Sequence, residues 1–320
     1  MKNPRLLAGL LASVLFSATG IQPASAQLPS LNDPPWLGYN SVFANKRYQF
    51  TITAQGKIML TPMNEKGDPV AHTLAIPVEI IIQEMMPDGK PVWKQINAQS
   101  LASAQPATDK LEKVVLTGKV TGDAAFEATI EQSRGAISIG GRITNPGTLT
   151  KNPIRFGIRV KFPNAYPKVE VEEKKEDAKE KTKEEIREEK RAERKAKREA
   201  DSKKDGKKDD KKGDADAAAL KKIEEDRIDM KWTDGTRKKL SLIDEVDATS
   251  KEINGPGIAG AEIEVSAYQG RKLLLIASTN SSMTLANEKN GPLFQGFSLN
   301  WLPDAAKDKE GKARLTIEAK

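Results

Sequence analysis

Arg155-Phe156-Gly157-Ile158-Arg159-Val160-Lys161-Phe162 is the stretch on which the fold turns. Phe156, Ile158, Val160 and Phe162 alternate with Arg155, Gly157, Arg159 and Lys161. Successive side chains of an extended strand point to opposite faces, so a period of two sets apolar residues against a core and polar ones toward water. The same period recurs in Tyr48, Phe50 and Ile52, set between Gln49, Thr51 and Thr53. It recurs again in Phe126, Ala128 and Ile130, set among Glu127, Thr129 and Glu131. Pro87-Asp88-Gly89, Thr121-Gly122-Asp123 and Asn145-Pro146-Gly147 separate such runs as turns.

Beyond Pro167 the character changes. Lys168 to Glu225 spans 58 residues, of which 21 are Lys or Arg and 20 are Asp or Glu. It has no aromatic residue, no proline and only five large aliphatics (Val169, Val171, Ile186, Leu220, Ile223), too few for a core of its own. Glu170 to Ala200 is rich in helix formers, with opposite charges three or four apart, as in Glu180 with Lys183 and Glu184 with Arg187. That predicts a solvated helix. Asp201 to Asp216 mixes Lys, Asp and Gly and is expected to be disordered. Strand patterns resume at Asp226. Ile228, Met230 and Trp232, the turn Asp234-Gly235, then Leu240 and Leu242 read as a β-hairpin. Ala261–Tyr268, Lys272–Thr279, Phe294–Trp301 and Ala313–Glu318 follow as strand candidates.

The expected fold is therefore all-β: a large antiparallel β-sandwich, as one body or two lobes, interrupted by a charged helical and disordered insertion. Residues 36–167 and 226–320 supply the sandwich, 168–225 the insertion and 27–35 a proline-containing linker. The turn-like run Gly140 to Asn145 makes the pattern loosely similar to the large sandwiches of carbohydrate-active proteins, but no motif names a family.

The N-terminus predicts export. Lys2 and Arg5 precede the apolar run Leu6 to Phe16, and Ala24-Ser25-Ala26 forms a small-residue cleavage site, the three parts of a signal peptide over residues 1–26. The run is shorter than the roughly 20 apolar residues a spanning helix needs. The mature chain is expected to carry no transmembrane span and to reside in a bacterial periplasm, on the cell surface or outside the cell.

Composition removes several chemistries. With no cysteine there is no disulfide and no thiolate chemistry, and with His72 alone there is no two-histidine zinc motif. No metal or cofactor is expected. His72 sits in a strand-like run and reads as structural. Gly255-Pro256-Gly257-Ile258-Ala259-Gly260 matches G-x-G-x-x-G, yet a strand-like run rather than a helix follows it, so it reads as a loop. The net charge is +7, but its carriers are mixed with acids, and an exported chain is not expected to bind nucleic acid.

Three sets of side chains remain as candidates. Glu262 and Glu264 lie two apart on one strand face, about 6.6 Å between Cα atoms, and a carboxylate pair is the machinery of glycoside hydrolysis. Against that stands cross-strand pairing with Arg155, Arg159 and Lys161. Those three cations form a positive stripe suited to an anionic polymer. Trp36, Tyr39, Trp93 and Trp301 could stack on sugar rings or fill the core. The reading these features favour is a non-catalytic exported protein that binds a glycan, a wall polymer or another envelope protein. The alternative is a carbohydrate-active hydrolase or lyase acting through Glu262 and Glu264.

Overall fold

A computed structural model describes residues 28–166, 221–289 and 293–320. The expected signal peptide and the expected helical and disordered parts of the insertion lie outside the described residues. In chain order the strands are β1 (Tyr39–Ala44), β2 (Tyr48–Thr53), β3 (Ile58–Pro62), β4 (Ile76–Met85), β5 (Pro91–Lys94), β6 (Ile96–Ser103), β7 (Lys113–Val120), β8 (Ala125–Ser133) and β9 (Ala136–Asn145). They continue with β10 (Ile154–Phe162), β11 (Arg227–Trp232), β12 (Arg237–Ser241), β13 (Ile258–Glu264), β14 (Lys272–Ala277), β15 (Ser281–Asn287), β16 (Phe297–Pro303) and β17 (Leu315–Ala319).

Together they make one curled, antiparallel 17-stranded sheet. It consists of two runs. The first is β1-β2-β3-β4-β10-β16-β15, with β5 beside the second half of β4. The second is β12-β11-β13-β14-β17-β9-β8-β7-β6. A single register pair, Ile258 opposite Met283, joins them. Strands from either side of the charged segment are direct neighbours. Val160 of β10 faces Leu299 of β16, and Ile139 of β9 faces Leu315 of β17.

The alternation within each strand accounts for this arrangement. Tyr48, Phe50 and Ile52 are buried, as are Phe126, Ala128 and Ile130, and Phe156, Ile158, Val160 and Phe162. They share one apolar cluster with Ile228, Leu275, Trp301 and Leu315. Each large aliphatic or aromatic side chain so placed contributes about 1.5–3 kcal/mol relative to exposure. The close approach of strands makes its own demand at Gly141. A Cβ there would lie 2.4 Å from the Phe156 ring and 2.5 Å from the Glu127 carbonyl oxygen, so only glycine fits. Gly140 to Asn145 accordingly continues β9 and is not the turn its composition indicates. The turn before β9 is Arg134-Gly135, both at positive φ, which matches the twist of a two-residue hairpin.

The flanks of the charged segment meet. The Tyr166 hydroxyl donates to the Asp226 carboxylate at 2.6 Å, and that carboxylate also accepts from the Ser266 hydroxyl (2.9 Å) and backbone N–H (2.8 Å). Asp226 is buried, so these donors satisfy a charge removed from water.

Three local expectations need correction. His72 belongs to a short 3-10 helix (His72–Leu74) and is exposed; the extended pairing resumes only at Ile76, which lies opposite Leu60 of β3. The G-x-G-x-x-G stretch is a turn only as far as Gly257, because β13 starts at Ile258, and a short helix, α1 (Lys251–Asn254), precedes it. The proline-containing segment is irregular but docked: Leu28 is buried in the core, and the Asn40 side chain donates to the Pro29 carbonyl. No helix among the described residues is long and apolar enough to cross a membrane.

Candidate functional site

Four adjacent strands, β5-β4-β10-β16, build a face that carries four of the nine candidates: Trp93, Arg155, Arg159 and Lys161. Strand register sorts the outward side chains of this face into rungs. Trp93 lies opposite Gln83, and Gln83 opposite Arg155. In the next rung Ile81 lies opposite Gly157. A Cβ on Gly157 would meet Leu302 at 2.6 Å and Ile81 at 3.1 Å, so these two apolar side chains close over the glycine. The third rung holds Glu79, Arg159 and Asn300, and Lys161 faces Ser298 in the fourth.

Arg159 ties this face together. Its Nε donates to Asn300 Oδ1 at 3.0 Å, one terminal nitrogen is 3.8 Å from Glu79, and the guanidinium lies 4.2 Å from the centroid of the Trp93 ring. A guanidinium over an indole is worth about 0.5–2 kcal/mol and favours the ring orientation that faces it. Trp93 nevertheless remains 44 % exposed, with Val92 and Met86 exposed beside it on the same hairpin. Lys161 is shared between Glu79 (3.5 Å) and Glu288 (3.6 Å). Below the hairpin, hydrogen bonds from Lys94 and then Asn152 hold the Glu84 carboxyl below the usual carboxylate range.

The other candidates lie apart from this face. Trp301 is 0 % exposed and packs in the core between β10 and β15, so its ring offers nothing to a sugar. The physical reason is parity: it shares the inward side of β16 with Phe297 and Leu299. Trp36 and Tyr39 stack edge to face with ring centroids 5.8 Å apart and are half-buried, beside the exposed Leu37.

Glu262 and Glu264 are on the outer side of β13, as the alternation requires, but their partners are not the β10 cations. Glu264 pairs with Arg227 at 2.8 Å and Lys272 at 3.0 Å, and Glu262 approaches Lys272 at 3.7 Å. Glu127 and Glu131 likewise pair with Arg142 and Lys113. The charges on these faces are therefore balanced locally, each strand by its own neighbours.

Glu79, Gln83 and Asn300 complete the β10 face, and sequence reasoning passed over all three. The one signal for them was a polar residue inside an otherwise apolar strand. Among the described residues, no group of three or more acidic or histidine side chains is arranged to hold a metal ion. Comparison with protein-family models finds no match, and comparison with curated proteins finds none either.

Proposed function

We propose that this chain is an exported, non-catalytic binding protein of the bacterial envelope or surroundings. On this reading it is a β-sandwich that recognises a glycan or wall polymer through the Trp93–Arg159 face. The observation that carries the reading is the exposed Trp93 ring, oriented by Arg159, which is itself anchored by Asn300 and Glu79. A preorganised flat aromatic beside polar groups is suited to the apolar face and hydroxyls of a sugar ring. The paired state of Glu262 and Glu264 favours binding over hydrolysis.

The test is a glycan array together with pull-downs from envelope extract, on the mature chain and on Trp93→Ala. Binding to one or more saccharides is expected, weakened about tenfold by the substitution, which corresponds to about 1.4 kcal/mol. Capture of a protein alone, with an empty array, would move the reading to a protein partner; silence in both would end it.

In the same proposal residues 36–167 and 226–320 form one body and 168–225 is a charged helical spacer. Replacing 168–225 by a short Gly/Ser link retains Tyr166 and Asp226. Cooperative unfolding of the β-signal is expected to survive, with loss of helical circular dichroism. Failure to fold would refute that division of the chain.

A further inference from the structure

Arg155 shares its rung with Trp93, two strand spacings away across Gln83, or about 9.6 Å. Its fellow cations on β10 are matched with acids: Arg159 with Glu79, Lys161 with Glu79 and Glu288. Arg155 is not. Among the described residues it forms no ion pair, and its Nε is buried without a hydrogen-bond partner. A guanidinium does not deprotonate in a protein, so the cation persists while its buried Nε–H has no acceptor, an arrangement that costs stability.

The surroundings of Arg155 favour an anion. It lines a cleft of about 390 Å³ together with Arg142, Phe156, Pro303 and the loop containing Asp308 and Glu310. Among the described residues neither acid of that loop forms an ion pair with Arg155. Asp308 Oδ1 accepts from the Asn280 side chain and from the backbone N–H groups of Lys312 and Ala313, at 2.7–3.0 Å. Glu310 pairs with Lys312. Among the described residues the cleft thus presents a guanidinium with no carboxylate in ion-pair reach, in company with Arg142 and Lys309 and beside two acids engaged with other groups.

We propose that Arg155 is the anion subsite of the binding face, taking a carboxylate or sulfate group of an acidic saccharide whose neighbouring ring lies against Trp93. The planar fork of arginine suits two-point recognition of either group. This inference rests on the glycan reading above and narrows it from glycans in general to acidic ones.

The experiment measures binding of the full mature chain by calorimetry to four probes: an oligogalacturonate, a heparin-derived oligosaccharide, a neutral cello-oligosaccharide and inorganic sulfate. The proteins are wild type, Arg155→Gln, Arg155→Lys and Trp93→Ala. At least one acidic oligosaccharide is expected to bind more tightly than the neutral one. Arg155→Gln should weaken it tenfold or more and Arg155→Lys less, while the melting temperature of Arg155→Gln stays level or rises. Which acidic probe responds distinguishes carboxylate from sulfate.

A lower melting temperature in Arg155→Gln with unchanged affinity would make Arg155 a structural residue and overturn the inference. Neutral and acidic saccharides bound equally, with sensitivity to Trp93→Ala alone, would overturn it while leaving the glycan reading standing. Sulfate binding without any saccharide binding would overturn both, as would silence with all four probes.

Discussion

Trp301→Ala is expected to destabilise the protein by about 3–5 kcal/mol, the range for deleting a large aromatic from a packed core. For a body of this size that lowers the melting temperature on the order of 10 °C. Trp301 has no exposed surface, and it lies opposite Ile158 of β10 on one side and Met283 of β15 on the other. Its removal therefore opens a cavity where strands from both sides of the charged segment meet. Trp301→Phe should cost clearly less. It keeps most of the apolar volume and discards an indole N–H that is buried without a partner. Urea denaturation followed by circular dichroism would measure both. A loss below 1 kcal/mol in the alanine variant would mean that this part of the core is not packed as described.

Alkaline pH is expected to unfold the protein through three tyrosines. Burial is the largest cause raising the Tyr48, Tyr166 and Tyr268 hydroxyls above the ordinary phenol value of 10.0. The charge of Glu318 adds to it at Tyr48; at Tyr166 the hydrogen bond to Asp226 adds, and at Tyr268 the charge of Asp226. In the folded state these groups keep their protons above pH 10, whereas the unfolded chain gives them up. Their contribution is thus complete below pH 10 and is lost as pH rises beyond it. Each proton retained only by the fold contributes a slope of about 1.36 kcal/mol per pH unit, or about 4 kcal/mol per unit for three. Urea midpoints between pH 8 and 11.5 should stay nearly level and then fall steeply, with the phenolate absorbance of these residues appearing together with unfolding. Reversible ionisation of all tyrosines near pH 10 in a chain still folded would contradict this account.

Strands with one wet face were legible in the sequence. β2, β8, β10 and the start of β11 obey the period of two, with their inward residues buried as the pattern requires, whereas in β12 only Leu240 is buried and Lys238 stands opposite Met230. β4 was not legible. Ile80, Ile81 and Ile82 run together, and Ile81 is covered on the outer face by the residues over Gly157, so the alternation is erased. β15 was hidden for the opposite reason: Ser281, Ser282, Thr284 and Asn287 look like turn residues, although Met283 and Leu285 point inward.

Pairing of β9 with β17 and of β10 with β16 leaves no local mark in one sequence, because each partner lies more than a hundred residues away. At the candidate face, Arg155, Arg159 and Lys161 could be placed by parity, but the rung that joins Trp93 to Arg155 through Gln83 depends on the β4–β5 register. The same parity rule, applied to Phe297, Leu299 and Trp301, would have assigned Trp301 to the core from the start.

The open edge of β12 has a consequence for solubility. Among the described residues β12 pairs with β11 alone, and it consists largely of Arg237, Lys238 and Lys239. An unpaired strand edge is a template for further chains, and stacked edges are how sheets grow into aggregates. Any second copy approaching this rim antiparallel would bring three cations against three, so the rim is guarded by repulsion and stays a boundary of the sheet. That protection weakens as ionic strength rises, because salt shortens the range over which exposed charges repel.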